Sequence, residues 1–148
     1  MKEKELLAQL EPLHQFEYFC DRLLESEGFT KVALSKRAQD LTVDFLIHPP
    51  GKSELWVVQS KLARVYRISQ VYQAVHNLVA SKKLLQANCG LLIIPFELTP
   101  RLSAFIQRYP SIVVWDVNQL NELIEKHRDI AAEFVSLRRK LDLFNQQR

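Results

Sequence analysis

Three polar side chains interrupt two apolar segments of this 148-residue chain. Asp44 lies within residues 42–48, and Gln59 and Lys61 lie two positions apart within residues 54–61. A carboxylate and an amide oxygen are ligands that suit a hard divalent cation such as Mg²⁺. A lysine beside them stabilises charge that develops on a phosphate, or helps to position a water molecule. These residue types therefore indicate a metal-dependent phosphodiester site.

The spacing of these side chains depends on how the two segments pair as strands. Successive side chains of a strand point to opposite faces of a sheet, so Gln59 and Lys61 share a face. Residues 49–52, Pro-Pro-Gly-Lys, predict the turn of a hairpin. In the register that we expect, Asp44 lies opposite Val57 and diagonal to Gln59, close enough for both side chains to hold one ion. A slip of one residue would separate them.

The elements that must position these residues follow from the hydrophobic periodicity. The predicted strands are residues 29–34, 42–48, 54–61, 90–94 and 111–115. The predicted helices are an amphipathic segment that ends at Gly28, residues 69–87, a segment that starts at Thr99-Pro100, and one that opens with a capping box at Asp116 and Gln119. The order α-β-β-β-α-β-α-β-α predicts an α/β fold with a mixed sheet of about five strands and helices on both faces.

The two ends of the chain flank this predicted core. We expect residues 1–12 to form a helical extension, residues 13–126 the main domain, and residues 127–148 an amphipathic helix. Apolar residues in this last segment, from Ile130 onward, recur at spacings of 4, 3, 4 and 3. We expect this helix to dock on its own domain, and a dimer or partner contact is the alternative.

The formal net charge of +3 is unevenly distributed along the chain. Residues 1–28 hold three basic and seven acidic side chains, whereas residues 55–96 hold five basic and no acidic ones. The second segment predicts a positive field that attracts an anionic partner, unless folding scatters its charges over different faces.

Cysteine usage and hydropathy indicate the compartment. Cys20 and Cys89 lie 69 positions apart among apolar neighbours, which predicts buried, reduced thiols. No apolar run reaches the 18 residues of a membrane span, and the N-terminal residues lack the apolar core of a signal peptide. We therefore expect a cytoplasmic protein with no membrane partner.

Four short segments in succession resemble the PD-(D/E)XK nuclease superfamily, and within it the Mrr-like restriction endonuclease domains. These segments are Phe16-Glu17-Tyr18-Phe19, Gly28-Phe29, Val43-Asp44 and Val58-Gln59-Ser60-Lys61. The resemblance covers roughly residues 13–125. It implies a restriction endonuclease-like core and a metal-dependent endonuclease that cuts DNA, with RNA as the other possible substrate, in restriction or antiviral defence.

The resemblance also implies a role for each site residue. Asp44 would be the principal metal ligand, and Gln59 takes a position that is Glu or Asp in most of the superfamily and commonly Gln in the Mrr-like branch. The carbonyl of Ser60 would complete the shell of Mg²⁺ or Mn²⁺, and Lys61 would be the catalytic lysine. Glu17 matches a first-helix glutamate that helps to hold metal or water, and a solvated flank position is its alternative reading.

Residues that follow the third strand are candidates for contact with nucleic acid. Basic and amide groups beyond a metal site contact phosphates. The candidates are Arg64, Arg67, Gln70 and Gln73, and a solvated helix face is the alternative. The resemblance further suggests a homodimer, or a fused or partner domain attached through the C-terminal helix.

Two departures from the Mrr-like pattern support a second hypothesis. Residues 40–44 lack the glycines usual near Asp44, and Gln59 gives the site less negative charge than a carboxylate would. The alternative function is therefore a catalytically inactive nuclease-fold module that binds nucleic acid or a protein partner.

Overall fold

The structure is a computed structural model that describes residues 13–34, 45–60, 68–130 and 132, with side chains except at residues 13–18 and 68. The helices are α1 (Leu13–Ser26), α2 (Ile68–Leu84), α3 (Pro100–Ile106) and α4 (Val117–Lys126). The strands are β1 (Thr30–Val32), β2 (Phe45–His48), β3 (Trp56–Ser60), β4 (Cys89–Ile93) and β5 (Ile112–Trp115). This order confirms the predicted alternation of elements.

The five described strands form one mixed sheet in the order β1-β2-β3-β4-β5. The β1–β2 and β2–β3 pairs are antiparallel, and the β3–β4 and β4–β5 pairs are parallel. Parallel neighbours require a crossover connection, which α2 and α3 supply. The fold is therefore the predicted α/β architecture.

Helices cover both faces of the sheet. Alternate side chains of its strands point to opposite faces, so each face has apolar side chains for a helix to pack on. Residues of α1 and α4, such as Phe19 and Leu120, pack on one face with Val58. Residues of α2 and α3, such as Val75 and Leu102, pack on the other face. All of β4 is buried, as predicted for a strand covered on both sides.

Local sequence fixes the ends of the helices as predicted. Gly28 has a φ of +90°, the left-handed conformation that ends α1 and that glycine adopts without a Cβ clash. The Thr99 hydroxyl accepts a hydrogen bond from the Leu102 amide at 3.2 Å, with Pro100 next to it at the start of α3. Asp116 and Gln119 form a full capping box at the start of α4.

The predicted register between β2 and β3 is wrong by two residues. Val57 lies opposite Leu46, not opposite position 44, and Phe45 lies opposite Val58. The reason is a connection longer than the predicted turn of residues 49–52. Leu55, just before β3, is bonded to Asn88, just before β4: its amide donates to Asn88 Oδ1 at 2.8 Å, and its carbonyl accepts from the Asn88 amide at 2.8 Å. Because the slip is an even number of residues, the described side chains keep their predicted faces.

The two cysteines and the C-terminal segment can be placed in part. Cys20 and Cys89 are both buried and free, as predicted, and burial raises the pKa of the Cys89 thiol. Ile130 is 3% exposed and packs in the core beside α4. Residues 1–12 and 133–148 lie outside the described residues. In the described part of the chain, no helix has the length and apolar character needed to cross a membrane.

Candidate active site

Gln59 is a buried polar residue near the end of β3. Its side chain is 2% exposed, and its Oε1 atom is buried with no hydrogen-bond partner among the described residues. A buried polar atom that lacks a partner costs about 1–3 kcal/mol. Such an atom in a native fold calls for an explanation, and a bound ion is one that physical chemistry provides.

The carboxyl end of β3 lies where open α/β sheets generally bind ligands. The parallel strands β3, β4 and β5 all end at this edge, with Gln59 beside Leu92 and Ser60 beside Ile93. Ligands of such sheets bind outside the carboxyl ends of the strands. Ser60 is 3% exposed and directly follows Gln59, so its side chain points to the opposite face of the sheet.

The observed register of β2 and β3 fixes which described residues adjoin Asp44 and Gln59 in the sequence. Phe45 and Val58 lie opposite each other on β2 and β3. Asp44 directly precedes Phe45 in the chain, and Gln59 directly follows Val58. Asp44 itself lies outside the described residues, as do Lys61, Arg64 and Arg67.

Three further site candidates lie on helices whose bounds are known. Glu17 is part of α1, but its side chain is outside the described part of the structure. Gln70 and Gln73 occupy the first two turns of α2, and both are exposed. The Gln73 amide donates to Asn77 Oδ1 at 3.0 Å, so this side chain is bonded along its own helix.

Asp116 is a buried carboxylate at the same edge of the sheet. It is 7% exposed and accepts hydrogen bonds from the backbone amides of Asn118 at 2.9 Å and Leu98 at 3.4 Å. The capping box was predicted, but the bond to Leu98, 18 positions away, has no local sequence signature. It ties the loop between β4 and α3 to the residue that follows β5.

Two of the five basic residues of the segment 55–96, Lys82 and Lys83, lie in the part of the chain that the structure describes. Lys82 and Lys83 lie in the last turn of α2, where they complement the helix dipole. At 1.5 Å per residue they are about 20 Å along the helix axis from its first turn, which follows β3. These two lysines therefore lie far from Gln59.

The described donors fit part of a metal site. Among the described residues, no group of three or more His, Cys, Asp or Glu side chains could hold a metal ion. The described donors at the end of β3 include the unpartnered Gln59 Oε1 and the backbone carbonyl of Ser60, whereas the Asp116 carboxylate, at the end of β5, accepts backbone hydrogen bonds. The two oxygens at the end of β3 are hard donors of the kind that Mg²⁺ binds, and a carboxylate would be needed to complete the set.

Comparison with known proteins identifies a family. The model of the Mrr_cat family, described as restriction endonuclease, matches residues 7–124. This match includes all five described strands and the positions of Asp44, Gln59 and Lys61. A search of curated proteins found no match to this chain.

Proposed function

The chain belongs to the Mrr_cat family of restriction endonucleases, and on that basis we propose that it is a divalent-metal-dependent enzyme that hydrolyses DNA phosphodiester bonds. Membership of this family indicates a restriction-type nuclease. The proposal adds three points to this: the enzyme depends on Mg²⁺ or Mn²⁺, its substrate is DNA, and it acts in restriction or antiviral defence.

The observation that carries the proposal is the unpartnered Oε1 of Gln59. This atom is buried at the carboxyl edge of β3, where no described donor satisfies it. A cation would satisfy it without a hydrogen-bond donor. The amide oxygen takes the place of the carboxylate that is more common in such sites.

We propose Asp44, Gln59, the carbonyl of Ser60 and Glu17 as the residues that hold the metal. The pairing of Phe45 with Val58 supports this set, since Asp44 precedes Phe45 in the sequence and Gln59 follows Val58. A metal held there would neutralise charge on the scissile phosphate and lower the pKa of a bound water.

Lys61 and the residues beyond it act on the DNA in this proposal. Lys61 lies two positions after Gln59 in the sequence, and its proposed role is to stabilise the negative charge that develops on the phosphate. Arg64, Arg67, Gln70 and Gln73 contact flanking phosphates and keep the scissile bond in line.

The proposal is tested by plasmid cleavage with Mg²⁺ or Mn²⁺. Asp44→Ala and Lys61→Ala should each lower the rate on the order of 100-fold or more, as expected when a group that stabilises the transition state is removed. Asp129→Ala and Lys52→Ala remove the same side-chain types from exposed positions and should leave the rate unchanged. Equal cleavage by all five proteins would contradict the assigned roles.

A second candidate function follows from Gln59 itself. An amide in place of a carboxylate gives the site one negative charge fewer, which weakens metal binding. The chain would then be an inactive nuclease-fold module that binds nucleic acid. Salt-sensitive DNA binding that persists in EDTA, with no cleavage by the wild type, distinguishes this function from the first.

A further inference from the structure

Four aromatic rings lie together between α2 and α3. Tyr72 contacts Phe105 with ring centroids 4.3 Å apart, and Phe105 contacts Tyr109 at 5.4 Å. His76 lies 5.8 Å from Phe105 and 6.2 Å from Tyr109. All four contacts are edge-to-face. The rings fasten α3 to α2, and they also form one continuous aromatic patch.

The patch is open to solvent. His76 is exposed, and Tyr72, Phe105 and Tyr109 are half-buried. Tyr72, Phe105 and Tyr109 also pack against the core on this side of the sheet, so each has a buried part and a part that contacts solvent.

Cations lie near these rings in the chain. Arg101 precedes Phe105 by four positions, which puts both on one side of α3. Arg108 lies in the turn after α3, where its amide donates to the Phe105 carbonyl at 3.2 Å. Lys83 is seven positions after His76, two turns along α2. All three cations are exposed. We call these seven residues the α2–α3 surface: Tyr72, His76, Lys83, Arg101, Phe105, Arg108 and Tyr109.

The cations of the α2–α3 surface differ from those near α1 and α4. Lys31, Lys126 and Arg128 each form an ion pair with a carboxylate. Lys83, Arg101 and Arg108 have no such partner among the described residues, and neither α2 nor α3 contains an Asp or Glu. Their charge is therefore available to an anionic ligand.

We propose that the α2–α3 surface binds single-stranded DNA, independently of the metal site. Aromatic rings interspersed with unpaired cations are the combination that binds single strands, because bases stack on the rings and phosphates contact the cations. In a duplex the faces of the bases are stacked on one another, so the rings would add little to its binding affinity. An acidic peptide would use the cations but would not need the four rings.

The test measures binding by the full chain, carrying Asp44→Ala and in EDTA so that no cleavage occurs. A labelled single strand of roughly 16 nucleotides, the upper end of typical site sizes, is compared with the duplex of the same sequence by fluorescence anisotropy. The single strand should bind more tightly. Arg101→Ala with Arg108→Ala should lower the slope of log affinity against log salt by about 1.4, since each contact with a single-strand phosphate contributes about 0.7.

A second variant tests the rings apart from the charges. His76→Ala should weaken binding roughly fivefold or more with little change in the salt slope, as expected from the loss of base stacking. The substituted side chains are exposed, so each variant should still fold, which circular dichroism checks. Lys52→Ala with Arg128→Ala removes two exposed cations from elsewhere and should leave affinity unchanged.

Three results would overturn the proposal. One is equal single-strand affinity for the parent chain and for both α2–α3 variants, and another is tighter binding of the duplex. The third is a change of oligomeric mass in these variants, by light scattering, with unchanged DNA affinity, which would make this surface a contact between copies of the chain. A null result in the plasmid assay leaves this test unaffected, because binding is measured without metal.

Discussion

At the scale of single residues, Gln59 is a polar side chain that costs the described core stability. Its neighbours on the same face, Val57 and the α2 residues, are apolar, and its Oε1 has no hydrogen-bond partner among the described residues. A leucine of similar volume would fill this position without the cost of an unpaired polar atom. Retention of the amide is understandable if the oxygen has a ligand in the working enzyme.

This cost can be measured directly. Gln59→Leu in EDTA should raise the free energy of unfolding by about 1–3 kcal/mol, because it removes a buried, unpartnered acceptor. The same variant should lose plasmid cleavage. Urea unfolding followed by circular dichroism measures the first effect, and Gln107→Leu, at an exposed position, serves as the control. A clear loss of stability in Gln59→Leu would show that the amide has a structural role in the fold.

The sequence predicted that Gln59 lies in a strand and that its amide oxygen could bind a metal, but not that this oxygen lacks a hydrogen-bond donor. The first prediction came from alternation along the strand, and the second from the chemistry of the side chain. That Oε1 would be left without a donor depends on α2 and β4, which come from later in the chain. Such an arrangement is visible only in three dimensions.

At the scale of elements, helix ends were predictable and the hairpin register was not. Gly28, Thr99-Pro100 and Asp116 act on their own neighbours, so their patterns were read correctly from the sequence. The register of β2 and β3 depends on Leu55, whose amide donates to Asn88, a residue that follows α2 in the chain. A long-range bond of this kind leaves no local pattern, and the predicted turn was too short as a result.

Asp116 stabilises the start of α4 and the loop before α3 through its hydrogen bonds. Asp116→Ala removes the acceptor for the amides of Asn118, Gln119 and Leu98, and should lower the free energy of unfolding by about 2 kcal/mol. Urea unfolding of Asp129→Ala, an exposed carboxylate, gives the control, with a change within about 0.5 kcal/mol. Equal effects of the two substitutions would contradict the role assigned to this cap.

At the scale of the whole molecule, the fold is a sheet between two helical layers. Alternating helix and strand patterns predicted this architecture, because each element must bury an apolar face against another. The roles of Asp44 and Lys61 remain predictions, since both lie outside the described residues. One ionic contact joins distant parts of the chain: Glu27, after α1, accepts from Lys126 and His127 at 2.9 Å each.

This contact predicts a dependence of stability on pH. Hydrogen bonds from Lys126 and then His127 hold the pKa of Glu27 below its ordinary value of 4.5. The stabilisation is therefore complete above that value, and is lost as the pH falls through the lower pKa of the folded state. Glu27→Gln should lower the free energy of unfolding by about 0.5–1 kcal/mol near neutral pH. The effect is small because Lys126 is largely exposed and solvent screens its charge.

Urea unfolding at a series of pH values measures this difference. The gap between wild type and Glu27→Gln should close as the pH falls below 4.5. Glu122→Gln, at an exposed position of α4, should show little gap at any pH. A gap for Glu27→Gln that stays constant into acid would contradict the ionic origin of the contact.

The central claim is a metal bound at the carboxyl edge of β3, and a crystal soaked in Mn²⁺ tests it most directly. The account predicts an anomalous difference peak within bonding distance of Gln59 Oε1 and of the Asp44 carboxylate. The same peak should be absent from crystals of Asp44→Ala. No peak at Gln59 in crystals of a protein that cleaves DNA with Mn²⁺, or a peak bound by other residues, would contradict it.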